Sequence, residues 1–164
     1  KTTELLAGAK FSLYTETEYK KDAATRQAIK VTGTDGNYVV DPTSENTVFE
    51  SAATKICENE CNLHVNGLAE GTYYLVETEA PEGYNKLAKD VKIVITKSTT
   101  GDETEWTLSK DDNDEADKII DIENSTGSLL PSTGGKGAIA FGIIAAILVF
   151  GVVVSFIRDK RKAA

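Results

Sequence analysis

Along most of the chain apolar and polar residues alternate with the two-residue period of half-buried strands. Between Leu5 and Tyr14, Ala9, Phe11 and Leu13 fall on one face and Lys10, Ser12 and Tyr14 on the other. A second strand is expected around Ala28 to Val31. Thr32-Gly33-Thr34-Asp35-Gly36-Asn37 then concentrates turn residues, and Tyr38 to Val40 resumes an extended run. Asp41 to Glu60 is the least regular stretch, with Pro42 and several Ser, Thr and Asn. It predicts a surface excursion with one short strand, a loop able to bind a partner. Asn62 to Val65 predicts a strand, Asn66-Gly67 a turn and Thr72 to Thr78 a strong strand. Val91, Ile93 and Ile95 alternate with Lys92, Val94 and Thr96, and Thr104, Trp106 and Leu108 share a face in the strand after that. The last predicted strand is Lys118 to Asn124. Many short strands with no convincing soluble helix predict an all-β sandwich over residues 1–124.

The alternation ends at Gly137. From there to Ile157 run 21 uncharged residues, enough for a helix across about 30 Å of hydrocarbon. Arg158, Lys160, Arg161 and Lys162 follow, against Asp159 alone, which places the tail (158–164) in the cytoplasm and everything before Gly137 outside. Just ahead, in a linker over 125–136, stands Leu130-Pro131-Ser132-Thr133-Gly134. Pentapeptide, apolar run and basic tail together resemble the cell-wall sorting signal of Gram-positive surface proteins. That resemblance implies that sortase, a membrane transpeptidase, cuts between Thr133 and Gly134. The Thr133 carbonyl then passes to an amine of peptidoglycan or of another pilin subunit, so the chain is a substrate. Pro131 suits this role because it fixes φ and biases Leu130 towards an extended conformation, while Gly134 and Gly135 leave the backbone approachable. The alternative is a plain single-pass anchor in which the pentapeptide is a coincidence.

Charge narrows the partners. Of 18 basic residues five lie beyond Asn124, and of 26 acidic residues only one does, so the preceding region is near −12. Such a surface argues against nucleic acid or anionic lipid and for a soluble extracellular domain. The sequence has no Met, which predicts that Lys1 is not a translation start and that a part of the protein lies upstream.

Gly71-Thr72-Tyr73-Tyr74-Leu75-Val76-Glu77-Thr78-Glu79-Ala80-Pro81-Glu82-Gly83-Tyr84 resembles the E-box of Cna B-type, SpaA-like pilin domains. Leu6-Ala7-Gly8-Ala9-Lys10-Phe11, Asn66-Gly67-Leu68 and a last strand ending in Asn124 match further landmarks, so the resemblance spans residues 1–134. It implies a reverse immunoglobulin-like (prealbumin-like) sandwich. It also implies an intramolecular isopeptide bond between a first-strand Lys and a last-strand Asn, assisted by the E-box acid; here these are Lys1, Asn124 and Glu77. Parity supports the placement independently, since Glu77 shares a face with Tyr73 and Leu75, and Asn124 with Ile120 and Ile122. Burial would keep Glu77 protonated and a buried Lys neutral and nucleophilic. Lys10 is the second candidate nucleophile, of opposite parity to Phe11 and Leu13.

Other constellations carry less. Cys57 and Cys61 are a possible disulfide closing a small loop, permitted by an extracellular location. With His64 they lack a fourth ligand, so no metal is expected. Asp111 to Asp117 offers oxygen ligands but lacks the glycine and terminal glutamate of an EF-hand loop, and reads as a solvated hairpin. Asn124-Ser125-Thr126 spells a glycosylation sequon, of little weight in a bacterium. No cofactor and no turnover chemistry are expected. The resulting expectation is a structural protein of the Gram-positive cell surface, the wall-anchored stalk domain of a pilin or adhesin. Its partners would be sortase, peptidoglycan or another pilin subunit, and the membrane before sorting, with no nucleic acid. Two alternatives stand beside it: an adhesin module contacting a host ligand through 41–60, and the wall anchor of an enzyme whose catalytic domain lies upstream.

Overall fold

The computed structural model describes residues 5–53, 56, 61–97, 106–115, 119–124 and 146–154. Strand β1 (Lys10–Thr15) leads into a single helical turn, α1 (Glu16–Tyr19), capped by the Thr15 hydroxyl, which accepts from the Glu18 amide at 3.2 Å. Then come β2 (Val31–Thr34), β3 (Asn37–Val40), β4 (Phe49–Glu50), β5 (Leu63–Leu68), β6 (Gly71–Glu79), β7 (Val91–Lys97), β8 (Trp106–Lys110), β9 (Asn113–Asp114), β10 (Ile119–Asn124) and β11 (Ala146–Val154). Sheet 1 has the order β4-β1-β6-β7-β8-β9 and is antiparallel throughout. Sheet 2 has the order β10-β11-β5-β3-β2 and contains two parallel pairs, β11 with β5 and β3 with β5.

The inward faces meet in one core. Phe11, Leu13, Tyr73, Leu75, Ile93, Ile95 and Leu108 come from sheet 1 and Val31, Leu63, Val65, Leu68, Ile120 and Ile122 from sheet 2, all buried. The alternation expected for β6, β7 and β10 is therefore the alternation observed. Several boundaries differ. The first strand begins at Lys10, because Gly8 turns the chain with φ +89°. The second begins at Val31 and runs through Thr34, since the turn shrinks to Asp35 and Gly36, both at positive φ, the two-residue type that matches the twist of a hairpin. Asn66-Gly67 lies inside β5, where Gly67 absorbs a positive φ without ending the pairing.

The helix expected over 137–157 is not what is described. Residues 146–154 form β11, antiparallel to β10 (Asn124 opposite Ala146) and parallel to β5 (Leu63 opposite Phe150). Five of the nine residues are β-branched, and the facing edges of β5 and β10 offer otherwise unpaired backbone groups. No helix among the described residues is long and apolar enough to cross a membrane. The other residues of 137–157, the motif Leu130 to Gly134, the basic tail, Cys57 and Lys1 lie outside the described residues.

Candidate functional site

Strand β6 carries Glu77 inward two residues past Leu75, and β10 carries Asn124 inward two residues past Ile122. The two side chains, 47 residues apart, meet at one end of the sandwich. Glu77 is 2% exposed and Asn124 1%. The Asn124 carboxamide Nδ2 donates to Glu77 Oε2 at 2.8 Å and to Oε1 at 3.0 Å. Burial raises the pKa of Glu77 above its ordinary value. The Leu87 amide, the Asn124 carboxamide and the charge of Lys86 oppose that shift without overcoming it.

A third wall comes from the segment linking β6 to β7. Its Leu87 N–H donates to Glu77 Oε1 at 2.7 Å, and its Asn85 carbonyl accepts from Asn124 Nδ2 at 3.1 Å. The other carboxamide atom, Oδ1 of Asn124, is buried and has no hydrogen-bond partner among the described residues. A buried acceptor left unpaired is costly, so this atom marks where a donor is missing. Asn85 and Leu87 were not anticipated, because they act through main-chain groups that every residue type possesses. The only signal was their place just after the turn Pro81-Glu82-Gly83-Tyr84, closed by Tyr84 N–H to the Pro81 carbonyl at 2.9 Å.

Of the two candidate nucleophiles, Lys1 lies outside the described residues. Lys10 sits on β1 with its ammonium 3.5 Å from Glu79 Oε2. The chain from Leu5 onward is nonetheless fixed. The Ser51 hydroxyl accepts from Ala9 N–H at 3.1 Å and donates to the Leu6 carbonyl at 2.7 Å, and Asn62 Nδ2 donates to that carbonyl at 2.8 Å. Leu5 and Ile56 pack against Cys61 and Ile119, the residue that opens β10. Cys61 is disulfide-bonded, and the sequence contains two cysteines.

Elsewhere, the 41–60 excursion borders an open cleft of about 920 Å³ in which, among the described residues, Asp35, Glu50, Glu79 and Glu82 face one base, Lys10. Asp111 and Asp112 form the β8–β9 turn at positive φ, and the Lys92 ammonium lies 3.0 Å from Asp112 Oδ1. On the outer face of sheet 1, Tyr19 stacks on Tyr74 at 4.1 Å and donates to Asp90 Oδ2 at 2.5 Å. Arg26 covers the Tyr14 and Tyr19 rings at 4.5 and 4.7 Å.

Comparison with known proteins adds two findings. The family model described as a SpaA prealbumin-like fold domain matches residues 1–110. A fimbrial subunit type 1 of Actinomyces viscosus is 31% identical over 163 residues, covering 94% of this chain. The chain spans 28% of that relative's length. No solved structure gives a significant match.

Proposed function

Since the chain belongs to the SpaA prealbumin-like fold domain family, we propose that it is the wall-proximal structural domain of a pilin-type surface protein of a Gram-positive bacterium. Sortase would join it at Thr133 to peptidoglycan or to another pilin subunit, and an internal Lys–Asn isopeptide bond would stiffen it. The observation that carries the cross-link is the buried Glu77–Asn124 pair with Asn124 Oδ1 unpartnered. The fimbrial relative supports the pilin setting, and the order of pentapeptide, apolar run and basic tail supports the anchoring.

The chemistry follows from the site. A carboxyl group with a raised pKa is protonated over a wider pH range, so Glu77 is placed to hand a proton to Nδ2, 2.8 Å away, as ammonia departs. The attacking amine must reach Asn124 Cγ over a face of the carboxamide, and Oδ1 then needs a donor as negative charge develops on it. Lys1 is four residues from Leu5, which packs beside Ile119. Four extended residues span about 13 Å, and Asn124 lies about 17 Å along β10 from Ile119, within reach once the lysine side chain is added. Strand β11 occupies the paired flank of β10. In a bilayer residues 137–157 must be helical, because a lone strand leaves its backbone unpaired there. Insertion would therefore clear β11 from its place beside β10 for the first strand.

The test is the intact mass of residues 1–129 beside the same chain with Glu77→Ala. Loss of one ammonia, restored in the variant, is the expected result, and peptide mapping then locates the lysine. A full mass in the native chain and in one extended upstream of Lys1 would overturn the cross-link. A second reading, a ligand-binding module, draws on the acidic cleft beside 41–60. It requires binding of a cationic ligand that Glu50→Lys abolishes.

A further inference from the structure

A carboxamide nitrogen carries two hydrogens. Asn124 Nδ2 nevertheless has three acceptors: Glu77 Oε2 at 2.8 Å, Glu77 Oε1 at 3.0 Å and the Asn85 carbonyl at 3.1 Å. A planar amide meets them only by sharing one hydrogen between the two Glu77 oxygens and giving the other to the Asn85 carbonyl. Ammonia carries three hydrogens and ammonium four, so a tetrahedral nitrogen at the same point uses every acceptor. On the other side of the amide, Oδ1 has no donor among the described residues. The surroundings thus fit the nitrogen that leaves better than the amide that is present.

From these distances the geometry points to an ammonium cradle, built by the Glu77 carboxylate and the Asn85 main-chain carbonyl, that receives the nitrogen expelled from Asn124. The inference rests on the cross-link reading and adds a catalytic group to it, the Asn85 carbonyl. In the reaction a neutral lysine amine bonds to Asn124 Cγ and the Cγ–Nδ2 bond breaks. One amine proton travels through Glu77 to Nδ2, leaving an isopeptide N–H and free ammonia. As Nδ2 becomes tetrahedral its hydrogens turn towards all three acceptors. The contact is stronger in the transition state than in the ground state, which is the condition for lowering the barrier.

The carbonyl is held by the residues that follow it. Leu87 packs its side chain on the core and pins Glu77 Oε1 through its amide, and Asp90 accepts the Tyr19 hydroxyl. Leu87 is accordingly a positioning residue for the Asn85 carbonyl.

The full chain in detergent with Asn124→Ala, which cannot cross-link, gives the direct test. Its thermal midpoint is followed in ammonium chloride and in potassium chloride at equal ionic strength, potassium being a monovalent cation without directed hydrogens. The expected result is a saturable rise with ammonium only, abolished by adding Glu77→Gln. Matching curves in the two salts overturn the cradle and leave the cross-link, which the mass measurement decides, untouched. Independently, Leu87→Ala in the otherwise native chain should slow ammonia loss after refolding about 10-fold, with Leu87→Met restoring the rate. An unchanged rate in Leu87→Ala overturns the role of the Asn85 carbonyl.

Discussion

Sheet 1 and sheet 2 contribute comparable inward faces to one core but are assembled from the chain in different ways. In sheet 1 every pair is antiparallel, and β6, β7, β8 and β9 follow one another in sequence. In sheet 2, β5 lies between two parallel partners, and the strand separating it from β10 is β11, which comes last of all. Parallel neighbours need long connections, and closing them costs more chain entropy than a hairpin does. The β6–β9 part of sheet 1 is therefore local, although β1 joins β6 across a long stretch of chain, while the integrity of sheet 2 depends on which segment sits between β5 and β10.

The harshest way to break this comparison is to remove β11. With Asn124→Ala to exclude the cross-link, a chain of residues 1–133 is expected to show amide exchange at least about 100-fold faster over Leu63–Leu68 and Ile119–Asn124, with Tyr73–Leu75 and Val91–Ile95 unchanged. Equal protection with and without the segment would mean that sheet 2 stands alone. Next comes Leu75→Ala, which empties a fully buried site between the sheets. A loss of about 3 kcal/mol, read from the denaturant midpoint, should lower protection in both sheets together. Ser51→Ala removes the hydroxyl that ties Leu6 and Ala9 to residue 51 and should cost about 1–2 kcal/mol. If the cross-link uses Lys1, this variant should also slow ammonia loss.

The smallest effect is a slope with pH, and the sheets contribute to it with opposite signs. Glu77 in β6 has a folded pKa above its unfolded value of 4.5. The folded state keeps a proton that the unfolded chain releases, and stability falls as pH rises from 4.5 to the folded pKa. His64 in β5 has a folded pKa below 6.5 because burial disfavours its charged form, so stability falls as pH drops from 6.5 towards that value. Glu77→Gln should remove the falling slope and leave stability rising with pH between about 4.5 and 6.5, with His64 contributing, as read from urea midpoints across that range.

Much of the site could be read from parity alone. Glu77 with Leu75, and Asn124 with Ile122, share faces that must turn inward if either strand has a buried side, and they do. Asn85 and Leu87 stayed hidden because a carbonyl and an amide leave no mark on residue identity. The fate of 146–154 was ambiguous for another reason: a wholly apolar run has no period to distinguish helix from strand, and its β-branched content suits either a bilayer or a sheet. Residues 66–67 show a third limit. Asn-Gly marks a turn only when the strand lacks another way to absorb a positive φ, and β5 had one.

The position of β11 also sets a timetable. Sheet 1 has all its described strands once Asp114 has been synthesised, whereas sheet 2 waits for Val154, about 40 residues later. At ribosomal speeds of about 5–20 residues per second that interval is about 2–8 s. For those seconds an emerging chain has one finished sheet and one with its central gap open, and whichever strand arrives first, from upstream or downstream, can claim the place.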